Sequence, residues 1–128
     1  MDVEDEILKV LKEDLMPLED IRACVVARKG MQGIIPFTDE FKAEIKEVWN
    51  DMEKAMDFFF NFMQEFKDKG ADKLYLEMQN WDVIYFILPG TDSALIVIVP
   101  ALCNRGLLEV EVENARRRIL KVLEKNNV

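Results

Sequence analysis

The chain has 128 residues, half of them apolar and a third charged, with a net charge of −8. That length fits one domain over residues 1–128, large enough to bury on the order of two-thirds of its unfolded surface. The composition excludes a disordered chain, and the acidity argues against nucleic acid or an anionic membrane surface as partner, since both need a basic patch.

A first helix is expected from about Asp2 to Leu15, with Asp2 as N-cap and Val3, Ile7, Val10 or Leu11, and Leu15 as its apolar side. Pro17 ends it. Ile21 to Arg28 reads as a strand and Met31 to Ile35 as a second, with Lys29-Gly30 as the tight turn between them. Gly33 and Pro36 give the second strand the character of a sheet edge.

A long helix follows, from about Asp39 to Lys69, capped by Thr38 or Asp39 and stopped at Gly70. Phe41, Ile45, Val48, Met52, Met56, Phe59, Met63 and Phe66 recur along it in steps of three and four, which is one helical stripe. Phe60 lies about 80° to one side of Met52, and Phe62 and Phe58 about 80° and 120° to the other. Trp49 stands on one shoulder. The apolar arc is thus roughly 200° wide, where a helix on one core shows little more than about 100°.

Lys73 to Met78 alternates, with Leu74, Leu76 and Met78 on one face and Lys73, Tyr75 and Glu77 on the other. Val83 to Leu88 and Ala94 to Val99 are apolar on both faces and should be central strands. Asn80 to Asp82 and Pro89 to Asp92 are expected as the turns that join them. After a loop from Pro100 to Gly106 comes a last helix, about Leu107 to Lys125, with Leu108, Val112, Ala115, Ile119 and Val122 or Leu123 inward. Arg116-Arg117-Arg118 is expected near its C-terminus, where the helix dipole favours cations.

The element order is therefore α-β-β-α-β-β-β-α. Hairpin connections and two edge strands are satisfied together by the strand order 2-1-5-4-3 in a mostly antiparallel five-stranded sheet. The fold expected is a three-layer α/β/α sandwich, with the long helix on one face and the two terminal helices on the other. A helix of about 30 residues is about 45 Å long, against about 24 Å for five strands side by side. It should overhang the sheet or bend, which would place part of its apolar arc where another subunit could reach it.

That order, with the Lys29-Gly30 hairpin after an apolar first strand and a glycine-containing loop from Leu102 to Leu107 before the last helix, resembles the roadblock domain of dynein light chains over nearly the whole chain. The resemblance implies a non-enzymatic domain that dimerises by aligning the long helices and third strands of two subunits into a ten-stranded sheet. It implies a second copy, or a related chain, as partner. Dynein adaptors, scaffolds for small GTPases and GTPase regulators in bacterial polarity are the roles it brings. Carried onto this chain, the interface would take Trp49, Phe58, Phe60 and Phe62 from the helix and Leu74, Tyr75, Leu76 and Met78 from the strand. Two features depart from the family: the long helix is longer than usual, and Lys29 stands where an acidic or polar turn residue is commoner.

Other chemistry finds little footing. The chain has no histidine, so the commonest general base and imidazole ligand are missing, and its only serine, Ser93, falls in an expected turn. No phosphate-cradling glycine motif occurs. Glu109, Glu111 and Glu113 fan around a helix as a solvated face, and Glu4, Asp5 and Glu6 lack the loop of a calcium hand. Neither a cofactor nor a metal is expected. No apolar run approaches the roughly 20 residues of a membrane span, and the acidic start lacks the layout of a secretion signal, so a cytoplasmic chain is expected. Cys24 and Cys103 then read as reduced thiols, with a bridge between them the lesser alternative. Trp81 reads as either folded back over the sheet or an exposed anchor. For the phenylalanine cluster three readings stay open: core, partner-covered surface, or a pocket for a small apolar ligand. The last would make the chain a profilin-like or PAS-type sensor, with Met52, Met56 and Met63 as adaptable lining.

Overall fold

The computed structural model describes residues 2–28, 31–34, 46–88 and 92–126. Helix α1 (Val3–Val10) starts at Asp2, whose carboxylate accepts the Asp5 N–H at 2.9 Å, and Glu4, Asp5 and Glu6 occupy its first turn. It continues as a π-helical turn, Leu11–Leu15, in which Met16 N–H donates to the Leu11 carbonyl. Strands β1 (Ala23–Arg28) and β2 (Met31–Ile34) follow. The long helix α2 is described over Lys46–Phe66 and tightens into a 3-10 turn at Lys67–Lys69. Gly70, at φ +77°, then reverses the chain in the left-handed region that glycine tolerates. Strands β3 (Lys73–Glu77), β4 (Trp81–Leu88) and β5 (Ser93–Pro100) lead to helix α3 (Arg105–Lys125).

The sheet runs β2-β1-β5-β4-β3, with every pairing antiparallel. This is the order expected from hairpin connections and strand polarity. Alternation along the strands divides the core in two. Cys24, Val26, Ile84, Phe86, Leu95, Val97 and Val99 face α1 and α3. Ala23, Val25, Val83, Tyr85, Ile96 and Ile98 face α2, where Phe59, Phe60 and Met63 complete the layer. Each Val, Leu, Ile or Phe among them taken out of water contributes about 1.5–3 kcal/mol. That explains why β5, buried from Ser93 through Val99, sits in the middle of the sheet.

Several boundaries differ from expectation. Trp81 and Asp82, read as turn residues, open β4, and Ser93 opens β5. Trp81 is half-buried against the α2-side core, so it folds over the sheet rather than standing out as an anchor. Helix α3 begins at Arg105, because the Asn104 side chain caps it by accepting the Leu107 N–H at 3.4 Å. The loop before it is correspondingly short. Arg116, Arg117 and Arg118 lie in mid-helix, not at its end, and are held by ion pairs: Arg116 to Glu113 and Asp72, Arg117 to Glu113, and Arg118 to Glu13 and Asp14. The expected cap at Thr38 or Asp39, the helix residues Phe41 and Ile45, and the Lys29-Gly30 turn lie outside the described residues, as do the side chains of Val48, Trp49, Met52 and Met56.

Candidate interaction surface

The second half of α2 shows how its wide apolar arc is divided. Phe59, Met63 and Phe60 span about 100° of the helix and are the residues buried on the sheet. Phe59 stacks on Tyr85 with ring centroids 4.1 Å apart, and Phe60 meets Phe59 edge to face. Phe60, expected on the flank that a partner covers, is therefore part of the protomer's own core at 6% exposure. Phe66, expected on the core stripe, is instead partly exposed. With Phe58 (75% exposed) and Phe62 it forms an i, i+4, i+8 ridge on the outward side, and the Phe62 and Phe66 rings lie 4.8 Å apart. Such a ridge is the element that another helix's groove accepts.

Strand β3 is an edge of the sheet. On its α2 side Leu74 is half-buried, while Leu76 and Met78 are exposed. Tyr75 points to the other face and packs against the α1/α3 core. Above it lies a small charged clasp. Arg105 donates to Glu77 at 2.5 Å and to Asp82 at 2.9 Å, with its guanidinium carbon 5.3 Å from the centre of the Tyr75 ring. Asp82 is buried, so its carboxylate needs this partner. The clasp ties the start of α3 to β3 and β4 at once. Neither Asp82 nor Arg105 stood out in the sequence. The signal was there in the spacing Asp82, Ile84, Phe86, Leu88, which sets the aspartate on a buried face in phase with three core residues.

Other features offer less. Lys73 pairs with Glu109 across to α3 at 4.0 Å. Two open grooves, of about 410 and 510 Å³, border α3. The first is lined by residues of α1 and α3, the second by Asp72, Lys73 and the outer side of α3. Neither lies between α2 and the sheet. Cys24 and Cys103 are free. Burial pushes the Cys24 thiol up to about 12, and its S–H points at the Met16 thioether. Cys103 is raised by burial first and by Asp20 and Asp82 after it, with Arg105 opposing. Both thiols are thus held protonated, unlike reactive cysteines. Among the described residues no group of three or more acidic, histidine or cysteine side chains could hold a metal ion, and no helix is long and apolar enough to cross a membrane.

No protein-family model and no curated protein matches this chain. Solved structures do. MglB of Myxococcus xanthus superposes with a TM-score of 0.66 at 12% identity, over 96% of this chain and 88% of that one. The Thermus thermophilus gliding protein MglB gives 0.61 at 11% identity, over 96% and 92%. MglC of Myxococcus xanthus gives 0.58 at 15% identity, over 94% and 98%. Identities this low carry the architecture and not the activity. In strand order, layers and helix placement, this chain has the roadblock fold that MglB and MglC share.

Proposed function

We propose that the chain is a non-enzymatic, cytoplasmic interaction module that pairs with a second copy of itself through β3 and the outer ridge of α2, and that the pair serves a small GTPase. The observation that carries the first half is the coincidence of an open strand edge with exposed apolar side chains. Leu76, Met78, Phe58, Phe62 and Phe66 all belong to the α2 side of the protomer, and all remain accessible in it. Five large apolar side chains left accessible on one side of a protomer are what a recognition surface presents. The GTPase half rests on the roadblock fold and the roles that fold brings. A sensor for an apolar ligand gains no support from Met63, which packs as core.

Sedimentation tests the pairing. The wild-type chain should run as a dimer at micromolar concentration. Phe62→Asp should run as a monomer with unchanged circular dichroism, because Phe62 is largely outside the protomer core and the new carboxylate would be buried only in the dimer. A wild-type chain that stays monomeric at high micromolar concentration removes the proposal. For the second half, calorimetry with the small GTPases of the source, loaded with GDP or a GTP analogue, should find one that binds the dimer. Binding by none removes that half alone.

A further inference from the structure

The hydrogen-bond phase of β3 tells which of its backbone groups remain to be paired. Met78 N–H donates to the Trp81 carbonyl at 3.0 Å, and Ile87 N–H donates to the Asp72 carbonyl at 2.9 Å. Between these points the register runs from Lys73 opposite Phe86 to Glu77 opposite Asp82. Bonded and non-bonded pairs alternate in an antiparallel ladder. Residues 72, 74, 76 and 78 therefore spend their main-chain groups on β4, and Lys73, Tyr75 and Glu77 turn theirs to the open edge. The same three send their side chains to the α3 face, where Lys73 meets Glu109 and Glu77 meets Arg105.

We propose that two copies join β3 to β3 in one register, with Tyr75 opposite Tyr75 of the partner subunit and Lys73 opposite Glu77 of the partner subunit. This rests on the reading of β3 as the dimer edge and adds what selects the partner. A two-fold axis and the phase of the free N–H groups allow the pairing to slide only in steps of two residues. Centred on Tyr75, all five residues of β3 are paired, and both lysines face glutamates. On the α2 face Leu74 then lies beside Leu76 of the partner subunit, twice over.

The neighbouring registers lose this match. Centred on Leu74, Lys73 meets Tyr75 of the partner subunit, and Glu77 meets Ala71 of the partner subunit. Centred on Leu76, Tyr75 meets Glu77 of the partner subunit, and Lys73 meets Gln79 of the partner subunit. Centred further out, on Lys73 or on Glu77, like charges are placed directly opposite, which is destabilising, whereas opposite charges there are favourable.

The charges fit their surroundings as well. Glu77 has a side chain 65% exposed in the protomer and Lys73 one 32% exposed, so both can reach across the edge. The resulting row alternates in sign. It runs from Glu109 to Lys73 in one protomer, then to Glu77, Arg105 and Asp82 in the partner. Two chains each carrying a net charge of −8 repel at long range, so two pairs of opposite charges flanking the axis give the encounter both an attraction and a register.

Charge reversal reads the register directly. Lys73→Glu carries two glutamates at these positions and Glu77→Lys two lysines. Each homodimer then opposes like charges, and the mixed dimer opposes unlike charges at both places. Each variant alone should dissociate about tenfold more readily than wild type, and the double variant should recover. In an equal mixture, with one chain mass-tagged and the species counted by native mass spectrometry, random pairing makes half of the dimers homodimers. We expect that share to fall at least about fivefold. Each chain carries its own intramolecular loss, at Glu109 or at Arg105, into whichever dimer it joins, so these losses cancel when two homodimers exchange into two mixed dimers. If the variants dimerise but mix statistically, or if neither the mixture nor the double variant dimerises while wild type does, the register is wrong and the dimer stands. A monomeric wild type instead overturns the parent reading.

Discussion

At the scale of single residues, Asp82 and Arg105 carry the highest electrostatic stakes among the described residues. Asp82 is almost fully enclosed, and its carboxylate is satisfied by a guanidinium that itself stays partly in water. The pair therefore costs less desolvation than one buried on both sides, and removing the cation strands the anion. Arg105→Met should lower stability, read as a fall in the urea midpoint, because it leaves the buried Asp82 carboxylate without its cation. Asp82→Asn in that background should recover part of the loss, because a neutral amide is cheaper to bury than an unpaired charge. A neutral outcome for Arg105→Met would mean that Asp82 finds water instead. The sequence hid this pair for a physical reason. Asn80-Trp81-Asp82 has the composition of a turn, and only a cation 23 positions away makes the aspartate tolerable inside a strand.

Among the elements, α2 and the turn that ends it decide the most. The amphipathic period pointed to more apolar surface on the helix than one core uses, and over its described second half the sheet takes Phe59, Phe60 and Met63. Which side chains it takes depends on the rotation of α2 about its own axis. Turned so that Phe59, Phe60 and Met63 face Tyr85, the helix necessarily lifts Phe58, Phe62 and Phe66 outward. Periodicity contains no information about that angle, which is why Phe60 and Phe66 exchange their expected places. Gly70 was legible because a helix stop in the left-handed region has a residue preference of its own. Nothing approaches the position a Cβ would take there, so strain is the only penalty. Gly70→Ala should cost about 1 kcal/mol in thermal or urea unfolding, and Gly70→Asn distinctly less, since asparagine tolerates that conformation. Equal losses for the two would mean that the penalty is not one of backbone conformation.

For the molecule as a whole, the question is whether the protomer is the folded unit in solution or half of one. Amide exchange distinguishes the two at residue resolution. The N–H groups of Leu74 and Leu76 are committed to β4 by the phase of the ladder and should be protected at any concentration. Those of Lys73, Tyr75 and Glu77 point off the edge. They should exchange quickly in a dilute sample and slow down at least tenfold as concentration carries the chain through its dimer constant. Protection independent of concentration would show that something within one chain covers the edge. The same experiment reports on α2 only weakly, since its N–H groups are already bonded along the helix.

By itself, the amino-acid sequence determined the element order, the strand order β2-β1-β5-β4-β3 and the surplus of apolar surface on the long helix. All three follow from local rules: period two against period 3.6, tight turns between neighbouring strands, and strands apolar on both faces seeking the centre of a sheet. Tertiary structure alone decided the face α2 turns inward, the partner that lets Asp82 enter a strand, and the ion pairs that occupy Arg116, Arg117 and Arg118 in mid-helix. It also fixed the phase of β3, and with it the three residues whose main chains stay unspent at the sheet's edge. Those outcomes depend on groups far apart along the chain meeting at set angles and distances, and no local pattern records where such groups meet.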